Sequence, residues 1–126
     1  MNILILGGGG REHTFCWKLS KSKVVENIFI APGNAGTAGL GKNLDLNIND
    51  FAAIKSEVIK NKIKMVLVGP EDPLVNGIHD FFLSDKILNS IPVIGPSKKA
   101  SMLEGSKDFA KEFMARNSIP TAKYAT

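Results

Sequence analysis

A short apolar run followed by four consecutive glycines decides the fold: Ile3-Leu4-Ile5-Leu6-Gly7-Gly8-Gly9-Gly10-Arg11-Glu12-His13. The apolar run predicts a buried strand, and the residues after the glycines have helical spacing, with Phe15, Cys16 and Leu19 on one side. Glycines let the backbone turn sharply and let another molecule approach it closely. The first turn of a helix carries unpaired N–H groups and a partial positive charge, which suit an anion. With the Arg11 guanidinium at the same point, the stretch predicts a phosphate-binding turn. A tight strand-to-helix connection without a ligand is the alternative.

Apolar runs recur along the rest of the chain and predict further strands. They lie at residues 27–31, 64–68 and 91–94, and a weaker alternation over residues 44–48 predicts a short strand. Because each strong run is apolar at nearly every position, we expect strands that are buried on both faces of a sheet.

Helical spacing predicts three more helices between and after these strands. The first follows an Asn49 or Asp50 cap, the second has Asp72 as its cap and Pro73 in its first turn, and a short third follows Ser97. Their predicted buried positions are Phe51, Ile54, Val58 and Ile59 in the first helix, Leu74, Ile78, Phe81 and Phe82 in the second, and Ala100 and Leu103 in the third.

The alternation of strands and helices predicts an α/β fold, a Rossmann-like, doubly wound and mainly parallel sheet. In such folds ligands bind beyond the carboxyl ends of the strands. Turn-rich segments follow four predicted strands, at residues 7–11, 32–37, 69–73 and 95–97. We therefore expect these segments to form one binding site at one edge of the sheet.

The pattern changes after residue 103. Gly105 ends the preceding helix, a further helix carries Phe109 and Phe113 and ends near Asn117, and residues 119–124 are predicted to be extended. These residues are too few to fold alone. The sequence therefore predicts a domain over residues 1–103, followed over residues 104–126 by a linker and the truncated beginning of another domain.

Composition limits the classes of function. The 126 residues carry 16 Lys and Arg against 12 Asp and Glu, for a net charge of +4, but the basic residues are dispersed and have no interleaved aromatic stripe. We therefore expect no nucleic-acid partner. There is no run of membrane-spanning length and no signal-peptide pattern, so no membrane partner is expected. The single Cys16 suits a buried thiol in a reducing compartment, which predicts a cytoplasmic location.

Three other ligand motifs fail on detail. A dinucleotide-binding G-x-G-x-x-G pattern would need glycine at Glu12 or His13, and the second strand ends without an acidic residue for a ribose. The run 36–43 fits a nucleotide phosphate loop until Asn43, which stands where Ser or Thr is required. His13 and Cys16 lie three residues apart but have no further ligand cluster, so no metal site is expected.

Motifs along the whole chain point to one family. They are Gly9-Gly10-Arg11-Glu12-His13, Pro32-Gly33-Asn34-Ala35-Gly36-Thr37, Val68-Gly69-Pro70-Glu71 with Pro73-Leu74, Gly95-Pro96, Leu103-Glu104-Gly105-Ser106-Lys107, and Ile119-Pro120-Thr121-Ala122 with Tyr124. In this order they resemble the glycinamide ribonucleotide synthetases, or phosphoribosylamine–glycine ligases. Gly8 departs from the family, which often has Asn or Ser there, so one side-chain contact is lost while the backbone turn remains.

The resemblance implies an ATP-grasp ligase several times longer than this chain. It joins glycine to 5-phosphoribosylamine in de novo purine biosynthesis, using ATP and Mg²⁺ or Mn²⁺, and gives glycinamide ribonucleotide, ADP and phosphate. The chain matches the amino-terminal, or pre-ATP-grasp, domain and the first part of the ATP-grasp region. We therefore expect it to hold part of the phosphoribosyl site and to be inactive alone. The implied assembly is a monomer.

The resemblance also implies which residues form the site. Gly9, Gly10 and Arg11 would face the phosphate, Glu71 would face the ribose with Asn34 and Thr37, and Lys107 would contact ATP. The full predicted substrate site is Gly8, Gly9, Gly10, Arg11, Glu12, His13, Pro32, Gly33, Asn34, Gly36, Thr37, Gly69, Pro70 and Glu71. No catalytic residue and no metal ligand is expected in this chain. The alternative is a nucleotide- or phosphosugar-binding module of another carboxylate–amine ligase or of a dehydrogenase.

Overall fold

Five parallel strands form one sheet in the computed structural model, which describes residues 1–122. They are β1 (Asn2–Gly7), β2 (Asn27–Pro32), β3 (Lys42–Asn43), β4 (Ile63–Val68) and β5 (Val93–Ile94), in the order β3-β2-β1-β4-β5. The central strand β1 pairs with β2 on one side and β4 on the other, and both pairings are parallel. The predicted Rossmann-like parallel sheet is confirmed.

Within residues 1–122, six helices connect or follow the strands. They are α1 (Gly10–Leu19), α2 (Phe51–Lys60), α3 (Glu71–Val75), α4 (Ile78–Ser84), α5 (Lys98–Gly105) and α6 (Lys107–Arg116), with a 3₁₀ turn at Thr37–Gly39. Among the residues described, no helix has the length and apolar character needed to cross a membrane.

The two faces of the sheet bury separate apolar clusters. On one face α1 inserts Cys16 between Ile3 and Ile5 of β1 and the side chains of β2. Burial raises the pKa of the Cys16 thiol, which is fully enclosed. On the other face Ile54 and Val58 of α2 and residues of α3 and α4 cover the sheet. Alternate residues of β1 point to opposite faces, which explains why its whole apolar run is buried.

The strand predicted over residues 44–48 is wrong in position, because the observed strand β3 ends just before it, at Asn43. Leu44 donates one further backbone hydrogen bond to the carbonyl of Ile30, at 2.7 Å, and the ladder then ends. Leu44, Leu46 and Ile48 nevertheless pack half-buried against the core. The alternation in the sequence therefore reflects burial of one side of the segment and not pairing in the sheet.

The helix predicted over residues 73–82 is two helices. Gly77 has a left-handed backbone, with φ of +97°, and separates α3 from α4. The predicted cap is also wrong, because α3 already begins at Glu71, after Pro70, and Asp72 lies in its first turn. The caps at Asp50 and Ser97 are confirmed, since each side chain accepts a hydrogen bond from the N–H three residues later.

The predicted core positions on α5 are wrong. Ala100 and Leu103 are exposed, and the buried residue of this helix is Ser101. The Ser101 hydroxyl donates to the carbonyl of Ser97 at 2.6 Å, so its polar group is satisfied within the helix and can face the interior.

The carboxyl-terminal helices are joined by one residue. Ser106 ends α5 and begins α6, where its hydroxyl accepts the N–H of Phe109. α6 ends at Arg116 before Asn117, as predicted, and residues 119–122 have no regular structure. Residues 123 and 124 of the predicted extended segment lie outside the described residues. The predicted domain boundary after residue 103 falls within α5, and the division into domains stays a prediction.

One predicted core position on α2 is wrong and supplies a matched test. Ile54 is fully buried, whereas Ile59 is 48% exposed, because its position on the helix turns it away from the sheet. We expect Ile54→Val to lower the free energy of unfolding by about 1 kcal/mol, the usual cost of one buried methylene. Ile59→Val should change it by less than about 0.5 kcal/mol. Urea unfolding of the two variants compares them directly, and equal losses would contradict this packing.

Candidate functional site

The carboxyl ends of three neighbouring strands meet at one edge of the sheet. Gly7 of β1 is level with Pro32 of β2, and the N–H of Gly33 donates to the carbonyl of Gly7 at 3.3 Å. On the other side, the N–H of Gly69 donates to the carbonyl of Leu6 at 3.0 Å. From β1 the strand order continues through β2 to β3 on one side and through β4 to β5 on the other. The carboxyl ends of β1 and β4, which we call the β1–β4 edge, are therefore the position where doubly wound folds bind ligands.

The four glycines after β1 serve different purposes. Gly7 has φ of +121°, and a Cβ there would lie 2.7 Å from the Cδ of Glu12. A Cβ at Gly8 would lie 2.7 Å from the carbonyl oxygen of Gly33, and one at Gly9 would lie 3.1 Å from a Glu12 carboxylate oxygen. At Gly10 a Cβ would meet no atom within 4 Å. Internal packing therefore accounts for the first three glycines, and only Gly10 faces open space.

Glu12 points into the protein. Its side chain is 5% exposed, and Oε2 accepts the N–H of Gly9 at 2.6 Å. The sequence interpretation placed Glu12 and the Gly9 N–H among ligand contacts. In the structure the two groups bond each other, so neither the carboxylate nor this N–H is presented to a ligand.

Arg11 lies on the exposed side of the same turn. One guanidinium nitrogen, Nη1, donates to the carbonyl of Gly69 at 2.5 Å. This bond draws the cation across the end of β1 to the end of β4. A guanidinium has five N–H donors, so the remaining ones stay free to bind an anion.

Asn34 fastens the loop after β2 to the glycine turn. Its Oδ1 accepts the N–H groups of Gly36 and Thr37 at 2.8 and 3.0 Å. Its Nδ2 donates to the carbonyl of Gly8 at 3.0 Å and lies 3.3 Å from that of Gly9. The side chain is therefore occupied by backbone groups. Its contact with the ribose stays a prediction beside this structural role.

Thr37 is fully buried beneath this loop. Its hydroxyl accepts the N–H of Asn34 at 2.8 Å and lies within donating distance of the Asn34 carbonyl and of Asn43 Oδ1, at 2.9 and 2.8 Å. Although the sequence predicted a ribose contact for Thr37, its hydroxyl therefore faces the protein and not a ligand. Asn43 also donates to the Asn34 carbonyl at 2.8 Å, and a Cβ at Gly33 would collide with it.

Sequence reasoning missed the role of Asn43. It treated this residue only as the position where a phosphate-loop pattern fails. No local pattern reveals its role, because Asn43 acts on a loop nine residues earlier through β3. A short polar residue just before a core-facing segment is the only signal the sequence offers.

His13 lies between the glycine turn and the β2 loop. Its ring fills the space that a Cβ at Gly36 would take, with Nδ1 2.7 Å from that position. Cys16 points instead into the core, so the two side chains do not converge. Within residues 1–122, no group of three or more His, Cys, Asp or Glu side chains is arranged to hold a metal.

The loop after β4 supplies an exposed carboxylate. Pro70 precedes α3 with an extended backbone, and Glu71 is the exposed first residue of that helix. No residue in the described part of the chain bonds the Glu71 carboxylate. Gly69 and Pro70 themselves contribute backbone, and the Gly69 carbonyl is already taken by Arg11.

Lys107 is placed apart from these loops. It is the exposed first residue of α6, which packs against α5, while α5 packs against α3. The structure thus brings together the predicted residues of the β1, β2 and β4 loops. It places Lys107 on a separate element at the carboxyl-terminal end.

Comparison with known proteins gives a consistent result. Residues 1–104 match the family described as Phosphoribosylglycinamide synthetase, N domain. A phosphoribosylamine–glycine ligase of Vibrio vulnificus is 46% identical over 127 residues, which is 99% of this chain and 29% of that protein. The corresponding ligase of Escherichia coli is 44% identical over 126 residues, or 98% of this chain and 28% of that protein. This chain therefore spans less than a third of the length of these curated relatives.

Two solved structures have similar folds. A crystal structure of a phosphoribosylamine–glycine ligase from Thermotoga maritima superposes with a TM-score of 0.65 at 30% identity, covering 98% of this chain and 26% of that one. N5-carboxyaminoimidazole ribonucleotide synthetase from Thermus thermophilus gives 0.63 at 20% identity, covering 94% of this chain and 31% of that one. The second likeness concerns the fold alone.

The buried Thr37 hydroxyl can be tested by an exchange that keeps the shape of the side chain. We expect Thr37→Val to lower the free energy of unfolding by about 1–3 kcal/mol, because half-buried groups of Asn34 and Asn43 lose their hydrogen bonds to the buried hydroxyl. Thr14→Val is the control, since that hydroxyl is exposed and bonds only the Gly10 carbonyl. Urea unfolding should show a change below about 0.5 kcal/mol for the control. Similar values for both variants would contradict the assigned role of Thr37.

Proposed function

The chain belongs to the phosphoribosylglycinamide synthetase N-domain family, and from that membership we propose that it supplies part of the phosphoribosyl site of a phosphoribosylamine–glycine ligase. The proposed reaction of the whole ligase joins glycine to 5-phosphoribosylamine with ATP and gives glycinamide ribonucleotide, ADP and phosphate. Because this chain spans 29% of such relatives, we propose that it binds substrate and is inactive alone.

Gly10 is the observation that carries the proposal. It is the one glycine of the turn that no contact inside the described structure explains, and it opens α1 at the β1–β4 edge. The first N–H groups of a helix have no carbonyl partner within it, and they carry the positive end of the helix dipole. A phosphate that approached these groups would need the space that a side chain at residue 10 would fill.

Arg11 supports a phosphate as the ligand group. Its bond to the Gly69 carbonyl fixes the guanidinium between the carboxyl ends of β1 and β4. A guanidinium held in this way loses less side-chain freedom when it binds an anion than a free surface arginine would. Its planar donors match the oxygens of a phosphate.

Glu71 is the candidate for the sugar. It is exposed at the end of the neighbouring strand, and no described residue uses its carboxylate. A carboxylate accepts hydrogen bonds from sugar hydroxyls without further help. We propose that His13 and the backbone at Pro32, Gly33 and Gly36 form the wall of the site, and that Asn34 and Thr37 hold this wall in place.

ATP and its metal fall mainly outside this chain in the proposal. The described residues include no cluster of three His, Cys, Asp or Glu side chains that could hold a metal, and we propose that the metal ligands lie outside this chain. We propose that residues 1–103 form the substrate-binding domain and residues 104–126 begin the ATP-grasp region. Lys107 on α6 is its proposed ATP contact.

Two further features are part of the proposal. The enclosed free thiol of Cys16 fits a reducing, cytoplasmic location, where the proposed ligase would work as a monomer.

A dinucleotide is a poorer ligand. Glu12 stands at a position where the G-x-G-x-x-G pattern requires glycine, and its carboxylate fills the space beside Gly7.

Gly10→Ala separates ligand binding from folding. We expect at least a tenfold loss of affinity for ribose 5-phosphate or glycinamide ribonucleotide, about 1.4 kcal/mol, because the new methyl group occupies the approach to the helix start. Stability should be unchanged or higher by about 0.5–1 kcal/mol, since alanine restricts the unfolded chain. Gly39→Ala is the matched control, because a Cβ there also meets nothing within 4 Å. Isothermal titration measures each affinity.

Wild-type affinity in Gly10→Ala would contradict the phosphate assignment. Saturable binding of NAD in place of the phosphosugar, measured in the same titration, would favour the dinucleotide alternative.

Arg11→Ala tests the cation at the same site. We expect weaker binding of ribose 5-phosphate, by tenfold or more, because a charge-assisted bond to phosphate is lost. The change removes one hydrogen bond of a charged group, so the free energy of unfolding in urea should fall by no more than about 3 kcal/mol. A variant that fails to fold would show that the bond to Gly69 is chiefly structural and would count against the assignment.

A further inference from the structure

Glu12 is enclosed by glycines from two different strands. Beside Gly7 and Gly9 of its own turn, it meets Gly69 after β4, where a Cβ would collide with Oε1 and lie 2.6 Å from Cδ. Gly69 has no left-handed backbone that would require glycine, so the contact with Glu12 is the reason that no side chain fits there. We call the space bounded by Gly7, Gly9 and Gly69 the glycine slot.

The carboxylate in the glycine slot contacts both the turn before α1 and the end of β4. It accepts the Gly9 N–H at 2.6 Å and packs against the end of β4. Its neighbour Arg11 bonds the Gly69 carbonyl at 2.5 Å. Two consecutive residues of α1 therefore contact the same residue after β4, one from inside and one from the exposed side.

This arrangement determines which groups of the turn remain available to a ligand. The Gly9 N–H is directed inward, while Gly10 and Arg11 begin the helix on the outside. A side chain that is 5% exposed and bonded inside the turn can influence a ligand through the position of these neighbours.

We propose that Glu12 is a positioning residue: by filling the glycine slot it fixes the Gly9–Arg11 backbone for anion binding and does not touch the ligand. The ligand side of this inference rests on the proposed function. The slot itself does not, and it can be tested without any ligand.

The decisive comparison is Glu12→Gln against Glu12→Asp in the 126-residue chain. Gln keeps the length and one acceptor oxygen for the Gly9 N–H but loses the charge. Asp keeps the charge but is one methylene too short to fill the slot. We expect Gln to bind ribose 5-phosphate within about threefold of the wild type, and Asp to bind at least about tenfold more weakly. Glu112→Gln, at an exposed position of α6, is the control for charge alone.

The titrations are made at a temperature where circular dichroism shows every variant folded. If Asp binds as the wild type does and Gln does not, the carboxylate charge acts on the ligand directly and the proposal is overturned. Equal, wild-type binding by both variants would overturn it as well.

A thermal double-mutant cycle tests the slot independently. Gly69→Ala should lower the melting temperature strongly when Glu12 is present, because the new Cβ collides with the carboxylate. In the Glu12→Ala background the same change should cost little, since the methyl group enters the vacated space. Additive losses would overturn the placement of Glu12. If the wild-type chain binds no phosphate ester, the proposed function fails. The coupling between the Glu12 and Gly69 substitutions in melting temperature still tests whether Glu12 fills the glycine slot.

Discussion

Parallel pairing on both sides of β1 is the constraint on which the rest of the structure depends. Because β2 and β4 flank the same strand in register, Gly7, Pro32 and Gly69 come to one edge although they are far apart in sequence. The contacts that cross between strand ends follow from this alignment, from the Asn34 amide on one side to the Arg11 guanidinium on the other. The parallel pairing thus brings the parts of the site together, and hydrogen bonds within the loops hold each part in place.

The sequence was sufficient to predict the main strands and helices, because the patterns that indicate them lie within each element. A run such as Ile3–Leu6, apolar at every position, has few alternatives to a buried strand, and the caps at Asp50 and Ser97 require only the next three residues. Two errors concern segments in which the spacing of apolar residues was misleading. Gly77 divides a helix whose spacing continues across it, and residues 44–48 bury one side without joining the sheet.

The candidate site was predictable in its location but not in the direction of its side chains. Turn-forming segments after strands identify an edge, and this follows from topology. Whether a polar residue faces a ligand or the protein depends on partners that no spacing reveals. Thr37 and Glu12 are both nearly enclosed, and each bonds backbone within three residues of itself. The four glycines of the turn had suggested an external anion, yet two of them, Gly7 and Gly9, make room for the carboxylate of Glu12.

The junction at Ser106 has a mechanical consequence. This residue is extended, with φ of −133° and ψ of 110°, while the residues on both sides are helical. Because only Ser106 lies between α5 and α6, a change in the angle between the two helices is a rotation about the backbone bonds of this residue. A change in the direction of α6 relative to α5 would therefore be made at this one serine. The hydroxyl that caps α6 and the packing of α6 against α5 oppose such a change.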